Sequence, residues 1–295
     1  MSSKVRDVAM LSLLTMVLGF AKVPHNGQVA PADMTGEWSI QGQREGRVRL
    51  QLRHSEKGKG RASVSIHVGL QQFQGLTEEQ LFSNASSVSF RLVREAGTFT
   101  FSGSFHEGAG TGQWTFKAEQ AFVSLLRKHG YEQPTSEELY ALAIGDVRGS
   151  FIADLEREGY PNLPISQLVL LYTNGVSAAY IAGLRSAGYT AISPNELVAL
   201  RSNGVTANDA RVLQGLVSGD IPAQQLIALK SNDVSVPYIK SLDDVGYKGL
   251  TAAQLLALRT NGVTRDFIER LQRRGQKNLT VERLLSLRIN AGTPD

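Results

Sequence analysis

Cysteine is absent from this chain of 295 residues. That excludes a disulfide-stapled scaffold, a thiolate zinc site, an iron–sulfur cluster and a cysteine nucleophile. Nine prolines and 20 % charged residues are too few for a proline-rich or highly charged disordered chain, and 42 % hydrophobic residues suffice for a globular core. The sequence contains no H-E-x-x-H, no G-x-S-x-G and no Walker loop. Its histidines (His25, His54, His67, His106, His129) form no H-x-H or H-x-x-x-H pair, so no local metal site is expected. No enzyme, cofactor or metal is therefore expected, although carboxylates brought together only by folding stay open. Long apolar runs are missing too. The longest is Val8–Phe20. As a helix it rises about 20 Å, short of the ~30 Å hydrocarbon core.

What is present begins with that run. Lys4 and Arg6 precede it, and Gly19-Phe20-Ala21 and Ala30-Pro31-Ala32 follow as small-x-small cleavage sites. Residues 1–32 read as a secretory signal peptide and linker, which predicts a periplasmic or extracellular protein without a spanning helix after cleavage. A buried N-terminal helix or an uncleaved anchor are the alternatives.

Net charge is +4, but from residue 134 onward 16 basic residues balance 16 acidic ones. The excess lies in residues 44–61, where Arg44, Arg47, Arg49, Arg53, Lys57, Lys59 and Arg61 face only Glu45 and Glu56.

Residues 33–118 alternate apolar with polar. Val48, Leu50 and Leu52 fall on one face, and Arg47, Arg49, Gln51 and Arg53 on the other. Val64, Ile66 and Val68 repeat the pattern, as do residues 88–93 and 99–105. With the Trp38 and Trp114 segments this predicts six short antiparallel strands, arranged as a small barrel or sandwich with one buried side. The glycine-rich stretch 106–112 reads as a turn. Thr77 and Gln80 fit a capping box opening a helical turn. The stripe Arg47, Arg49, Arg53 is either a contact for an anionic envelope component or a solvated outer face. Phe90, Phe99, Phe101, Phe105 and Trp114 either fill the core or line a pocket.

The second half is periodic. Leucine recurs at 139, 168, 197, 226, 255 and 284, and again three residues later each time. Valine recurs at 147, 176, 205, 234 and 263, with the same fixed interval. Within one unit, Thr251 and Gln254 cap a first helix carrying Leu255 and Leu258. Asn261-Gly262 stops it, Val263 turns back to the core, and Thr264 caps a second helix with Phe267, Ile268 and Leu271 on one face. Each unit is thus a helix pair too small to fold alone, which predicts stacking into an α-solenoid. The expected layout is a half-cap over 119–133, five repeats over 134–278 and a half-cap over 279–295. The third unit is irregular: Ala210 replaces an isoleucine, and Val217-Ser218 replaces Gly-Tyr.

The pattern L-x-x-L-x-x-N-G-V-T-x-x-F-I resembles helix–hairpin–helix modules, which hold a phosphate on hairpin amides. Asp146 and Asp233 stand where that hairpin needs glycine, and the region has no net charge, so nucleic acid is not an expected partner. Residues 90–105 (F-R-L-V-R-E-A-G-T-F-T-F-S-G-S-F), Q-W-T-F at 113–116 and the repeat L-L-A-L-R-T-N-G-V-T-R-D-F-I together resemble an exported bacterial segment. That segment is found attached to BlaR-type antirepressor metallopeptidases. The resemblance covers most of residues 36–290 and implies an envelope context. The peptidase's zinc motif and membrane helices have no counterpart, so it implies no catalytic residue.

The expectation is an α+β protein, a β-barrel or sandwich followed by an α-solenoid, that binds a protein or peptide without catalysis. Tyr180, Asp209, Tyr238 and Phe267 occupy one equivalent position on the second helices. They are candidates to line a partner surface, or equally to be core, with Arg47, Arg49 and Arg53 a secondary contact. The alternative is an envelope sensor or carrier holding a small apolar or anionic ligand in the β-region.

Overall fold

A computed structural model describes residues 33–43, 46–56, 60–85 and 87–290. The expected signal peptide, Arg44, Lys57 and Lys59 lie outside the described residues.

The alternating segments form seven strands: β1 (Met34–Gly42), β2 (Arg47–Glu56), β3 (Gly60–Gly69), β4 (Phe73–Gln74), β5 (Val88–Arg94), β6 (Gly97–His106) and β7 (Ala109–Ala118). They make one antiparallel sheet in the order β3-β2-β1-β7-β6-β5-β4. The expected antiparallel β-region is thus one sheet whose hydrogen bonding stays open, with β3 and β4 as its edges. The sheet is nevertheless curled. β3 and β4 stand six strand steps apart, about 29 Å on a flat sheet. The single helical turn Leu70–Gln72 joins them, a link of at most about 14 Å.

Glycine explains the curl. Trp38 lies opposite Gly112, and Gly112 opposite Gly103 on the next strand. A Cβ on Gly103 would stand 2.1 Å from the Thr111 carbonyl oxygen and 2.7 Å from the Trp38 ring. The backbones approach because no side chain intervenes, and the indole covers the gap while its Nε1 donates to the Ser102 carbonyl at 3.1 Å. Gly36 and Trp114 repeat the arrangement, with Trp114 Nε1 donating to Glu37 O. The stretch expected as a glycine-rich turn is therefore mostly strand. Only Glu107 and Gly108, both at positive φ, make the turn. The inward rings pack on one another: Phe90 stacks on Phe101 at 4.8 Å, and Trp38 meets Phe90 edge-on at 5.3 Å.

A short helix, α1 (Glu78–Phe82), opens with the Thr77–Gln80 capping box. Twelve helices follow β7 among the described residues. They are α2 (Gln120–Lys128), α3 (Ser136–Ile144), α4 (Gly149–Arg157), α5 (Ile165–Thr173), α6 (Ala178–Ser186) and α7 (Pro194–Ser202). After them come α8 (Ala207–Leu216), α9 (Ala223–Ser231), α10 (Val236–Asp243), α11 (Ala252–Thr260), α12 (Arg265–Arg273) and α13 (Val281–Asn290). The recurring leucines and valines are buried, save Leu287 in the last helix, which is half-buried. Each first helix packs on the next first helix, α3 on α5 and onward to α13. Second helices pack likewise from α2 through α10.

Caps repeat with the period. Thr135, Ser193 and Thr251 form capping boxes for first helices, while Ser177, Thr206, Ser235 and Thr264 cap second helices. The turns between them need a left-handed residue, supplied by Gly175, Gly204 and Gly262 and, unusually, by Asp146 and Asp233.

Candidate functional site

Three places carry the chemistry: the junction of sheet and helices, the joints between units, and the outer face of the sheet. At the junction the first unit departs from its repeat. Tyr140 stands where later units carry Val169, Val198, Ile227, Leu256 and Leu285. Its ring stacks on Trp114 at 5.5 Å and meets His54, Phe99 and Phe116 at 5.1, 5.7 and 5.9 Å. Burial pushes the Tyr140 hydroxyl above its ordinary range. Arg148 stands where the later second helices have a serine or threonine cap, and it makes no side-chain cap. Glu95, from the β5–β6 turn, accepts from Gly149 N at 2.9 Å and caps α4 instead. Beside it Arg94 pairs with Asp146 at 3.4 Å. The sheet thus completes a helix terminus that the first unit leaves unfinished.

At the joints, the residue at the candidate position of one unit meets a residue at a fixed position in the next first helix. Arg201 lies over the Tyr180 ring at 5.1 Å, Arg259 over Tyr238 at 5.0 Å and Arg288 over Phe267 at 5.4 Å. In the first joint both members are aromatic, Phe151 against Tyr172 at 5.0 Å. In the third, Asp209 and Lys230 form an ion pair at 3.1 Å. In four of these five joints the first-helix member is a cation, facing either a ring or a carboxylate, so each joint stays complementary. The hydroxyls of Tyr180 and Tyr238 donate to the Val205 and Val263 carbonyls at 2.9 Å. Burial pushes both phenols up to about 12, with Arg201 and Arg259 pulling the other way. Burial also acts to raise the Asp209 carboxyl. Hydrogen bonds from Thr206 and the Lys230 ammonium outweigh it and hold that group below the ordinary carboxylate range.

Tyr180, Tyr238 and Phe267 are buried in these joints, 7–8 % exposed, and Asp209 is half-buried. On the first helices Val169, Val198, Ile227, Leu256 and Leu285, at one equivalent position, form a half-buried apolar column. Sequence reasoning missed this column, although its even spacing was readable.

A second ladder ties the second-helix ends. Tyr131, Tyr160 and Tyr247 hydroxyls donate to the carbonyls of Leu163, Ile192 and Leu279, each at the same sequence separation. The irregular third unit keeps the link without its tyrosine: Ser218 N donates to Leu250 O, over that same separation, at 3.0 Å. Its departure from the repeat is thus a repaired joint.

On the sheet's outer face Arg47, Arg49 and Arg53 are exposed. Arg49 Nε donates to Ser65 Oγ at 3.0 Å, Arg53 to Gln51 Oε1 at 3.1 Å, and Gln51 to Ser63 Oγ at 3.1 Å. Arg49 also borders a shallow depression of about 280 Å³ with Ser39, Gln41, Gln51 and Thr111. None of the three arginines forms an ion pair among the described residues.

No group of three His, Asp or Glu side chains able to hold a metal occurs among the described residues. His129 instead pairs with Glu156 at 2.8 Å. The hairpin amides that would cradle a phosphate bond the preceding helix: Gly175 N to Tyr172 O and Val176 N to Leu171 O. No single helix among the described residues is long and apolar enough to cross a membrane. No family model matches the chain, and no curated protein or solved structure is significantly similar to it.

Proposed function

We propose that this protein is a noncatalytic scaffold that binds a protein or peptide along its helical array, read as a short α-solenoid. The observation that carries the reading is the column Val169, Val198, Ile227, Leu256, Leu285. These are apolar side chains, half-buried, one per unit, on first helices that pack continuously from α3 to α13. Helix layers lie about 8–10 Å apart, so the column offers an evenly spaced series of shallow apolar contacts. Stacked repeats present extended surfaces of this kind. The joint residues Tyr180, Asp209, Tyr238 and Phe267 serve this reading by fixing the spacing between units.

The basic and apolar pattern of residues 1–32 and the resemblance to the segment attached to BlaR-type antirepressor metallopeptidases support placing the scaffold in the bacterial periplasm or at the cell surface. The sensor-or-carrier alternative draws less support, because Phe90, Phe99, Phe101, Phe105 and Trp114 occupy the interior of the curled sheet themselves. Nucleic acid is disfavoured by the hairpin amides, which are already bonded.

Photo-crosslinkers placed at Val198, Ile227 and Leu256 test the reading against crosslinkers at Arg211, Lys240 and Arg270 on the second helices. In envelope extract the first set is expected to capture a partner protein and the second to capture none. Equal capture from both faces, or none from either, overturns it.

A further inference from the structure

We propose that the free side of β3 is a strand-addition site for an extended segment of another protein, one whose residues alternate apolar with acidic. The site lies apart from the helical column and does not depend on it.

β3 is an edge strand of ten residues. All ten pair with β2 in one unbroken register, Arg47 with Gly69 through Glu56 with Gly60. That uses one side of the strand, and among the described residues no strand pairs with the other. Exposed edges in natural proteins are guarded by proline, by edge charges, by an inward-pointing charge, by a bulge or by brevity. Of these β3 carries only the single outward charge of Arg61. It contains no proline, its register carries no bulge, and its inward side chains are Ala62, Val64, Ile66 and Val68. The opposite edge, by contrast, is only the two residues of β4.

The inner face is also incomplete at this edge. Val48, Leu50 and Leu52 of β2 are fully buried, whereas Ala62, Val64 and Ile66 beside them are half-buried. One more strand with apolar residues at alternate positions would cover them, and its backbone would take up the free amides and carbonyls of β3.

The outward positions specify charge. Arg61 on β3 and Arg47, Arg49 and Arg53 on β2 point to the outer face, and β3 carries no acidic residue. None of these guanidinium groups has a carboxylate partner among the described residues. Carboxylates at alternate positions of an added strand would lie across from Arg61 and within reach of the β2 stripe. A second copy of this chain is the poorer occupant. Pairing β3 with β3 would bring two such arginine stripes together, and like charges opposed across strands destabilise the pair.

The test uses the full chain and three soluble decapeptides: one alternating valine with glutamate, one with lysine in place of glutamate, and a scrambled acidic control. Fluorescence anisotropy measures binding, and amide hydrogen exchange locates it. The acidic alternating peptide is expected to bind and to slow exchange across residues 61–67. The lysine peptide and the scrambled control are expected to bind at least tenfold more weakly. V64K places a charge at the inward edge and should abolish binding with the thermal midpoint kept. R61E should reverse the preference between the acidic and lysine peptides. Failure of the acidic peptide to bind, equal binding of all three, or protection outside β3 overturns the proposal. A dimer whose slowed amides are those of β3 overturns it in favour of self-pairing.

Discussion

The sheet and the helical array solve the same packing problem in opposite ways. In the sheet each contact occurs once and is fixed by shape: Trp38 fits over Gly112 and Gly103 because nothing larger than hydrogen fits there. In the array each contact recurs, and its chemistry is exchangeable provided the two members stay complementary. Aromatic against aromatic, arginine over a ring, and aspartate with lysine all serve the same joint. Shape complementarity leaves no compensating partner within reach, whereas pairwise complementarity leaves one in the neighbouring unit.

The largest expected effect separates the two regions through glycine. Gly103→Val forces a side chain into the Thr111 carbonyl and should cost about 3–5 kcal/mol or prevent folding. Gly215, in α8, has nothing near its missing Cβ, and Gly215→Ala should stabilise the array by up to about 1 kcal/mol. Denaturant midpoints of the two variants are expected to move in opposite directions, and equal shifts would erase the contrast.

Tyr140 joins the two regions. Tyr140→Ala removes a buried ring from among four aromatic neighbours and should cost about 3–5 kcal/mol. It should also split one unfolding transition into two, measured by calorimetry, with the array melting apart from the sheet.

Glu95→Ala uncaps α4 and should cost about 1 kcal/mol. Arg148→Ser restores a local cap and should recover most of that loss in the double variant. No recovery would mean that Glu95 acts through something other than the Gly149 amide.

The ionic joint is the next test. Asp209→Lys should cost about 0.5–1 kcal/mol for the partly exposed pair and about 1 kcal/mol more for the lost Thr206 capping box, and Lys230→Asp in the same chain should recover only the pair's share. Added salt should weaken this joint and leave the arginine–ring joints unchanged, which hydrogen exchange in α8 and α10 can read.

The last effect is nil at neutral pH. Tyr180 and Tyr238 have folded-state pKa values raised by burial to about 12, above the unfolded value of about 10. Their contribution is complete below pH about 10 and declines as pH rises towards 12, because the unfolded chain releases its protons first. Alkaline melts should therefore show falling stability across that window, and the Y180F/Y238F double variant should flatten the fall.

Much of the architecture was legible because periodicity is local information. Leucines at a fixed interval placed the helix pairs, and alternation placed six of the seven strands. β4 escaped because two residues carry no alternation. Strand order escaped because alternation reports which face is buried, not which strand is next. Residues 106–112 were misread because glycine has two uses. The sequence shows the loss of a side chain but not the ring, distant along the chain, that requires it, Trp38 against Gly112. The joint pairs were legible but unread. Aligning the units shows Tyr180 with Arg201, Asp209 with Lys230 and Tyr238 with Arg259. The Glu95 cap was half-legible, since Arg148 breaks the row of serine and threonine caps, but nothing local points to a donor from a preceding strand turn.

Interchangeable joints make the array a ruler whose length is free to change by whole graduations. Excising residues 221–249 would remove Lys230 and Tyr238 together and set Asp209 beside Arg259, again an anion against a cation. Duplicating the same stretch would set Tyr238 beside the second copy of Lys230, a ring against a cation, and lengthen the array by about 8–10 Å. The first unit has no such freedom, because Tyr140, Asp146 and Arg148 are cut to fit the sheet. Growth and loss over generations should therefore fall in the middle and C-terminal units, giving relatives of one head and many lengths.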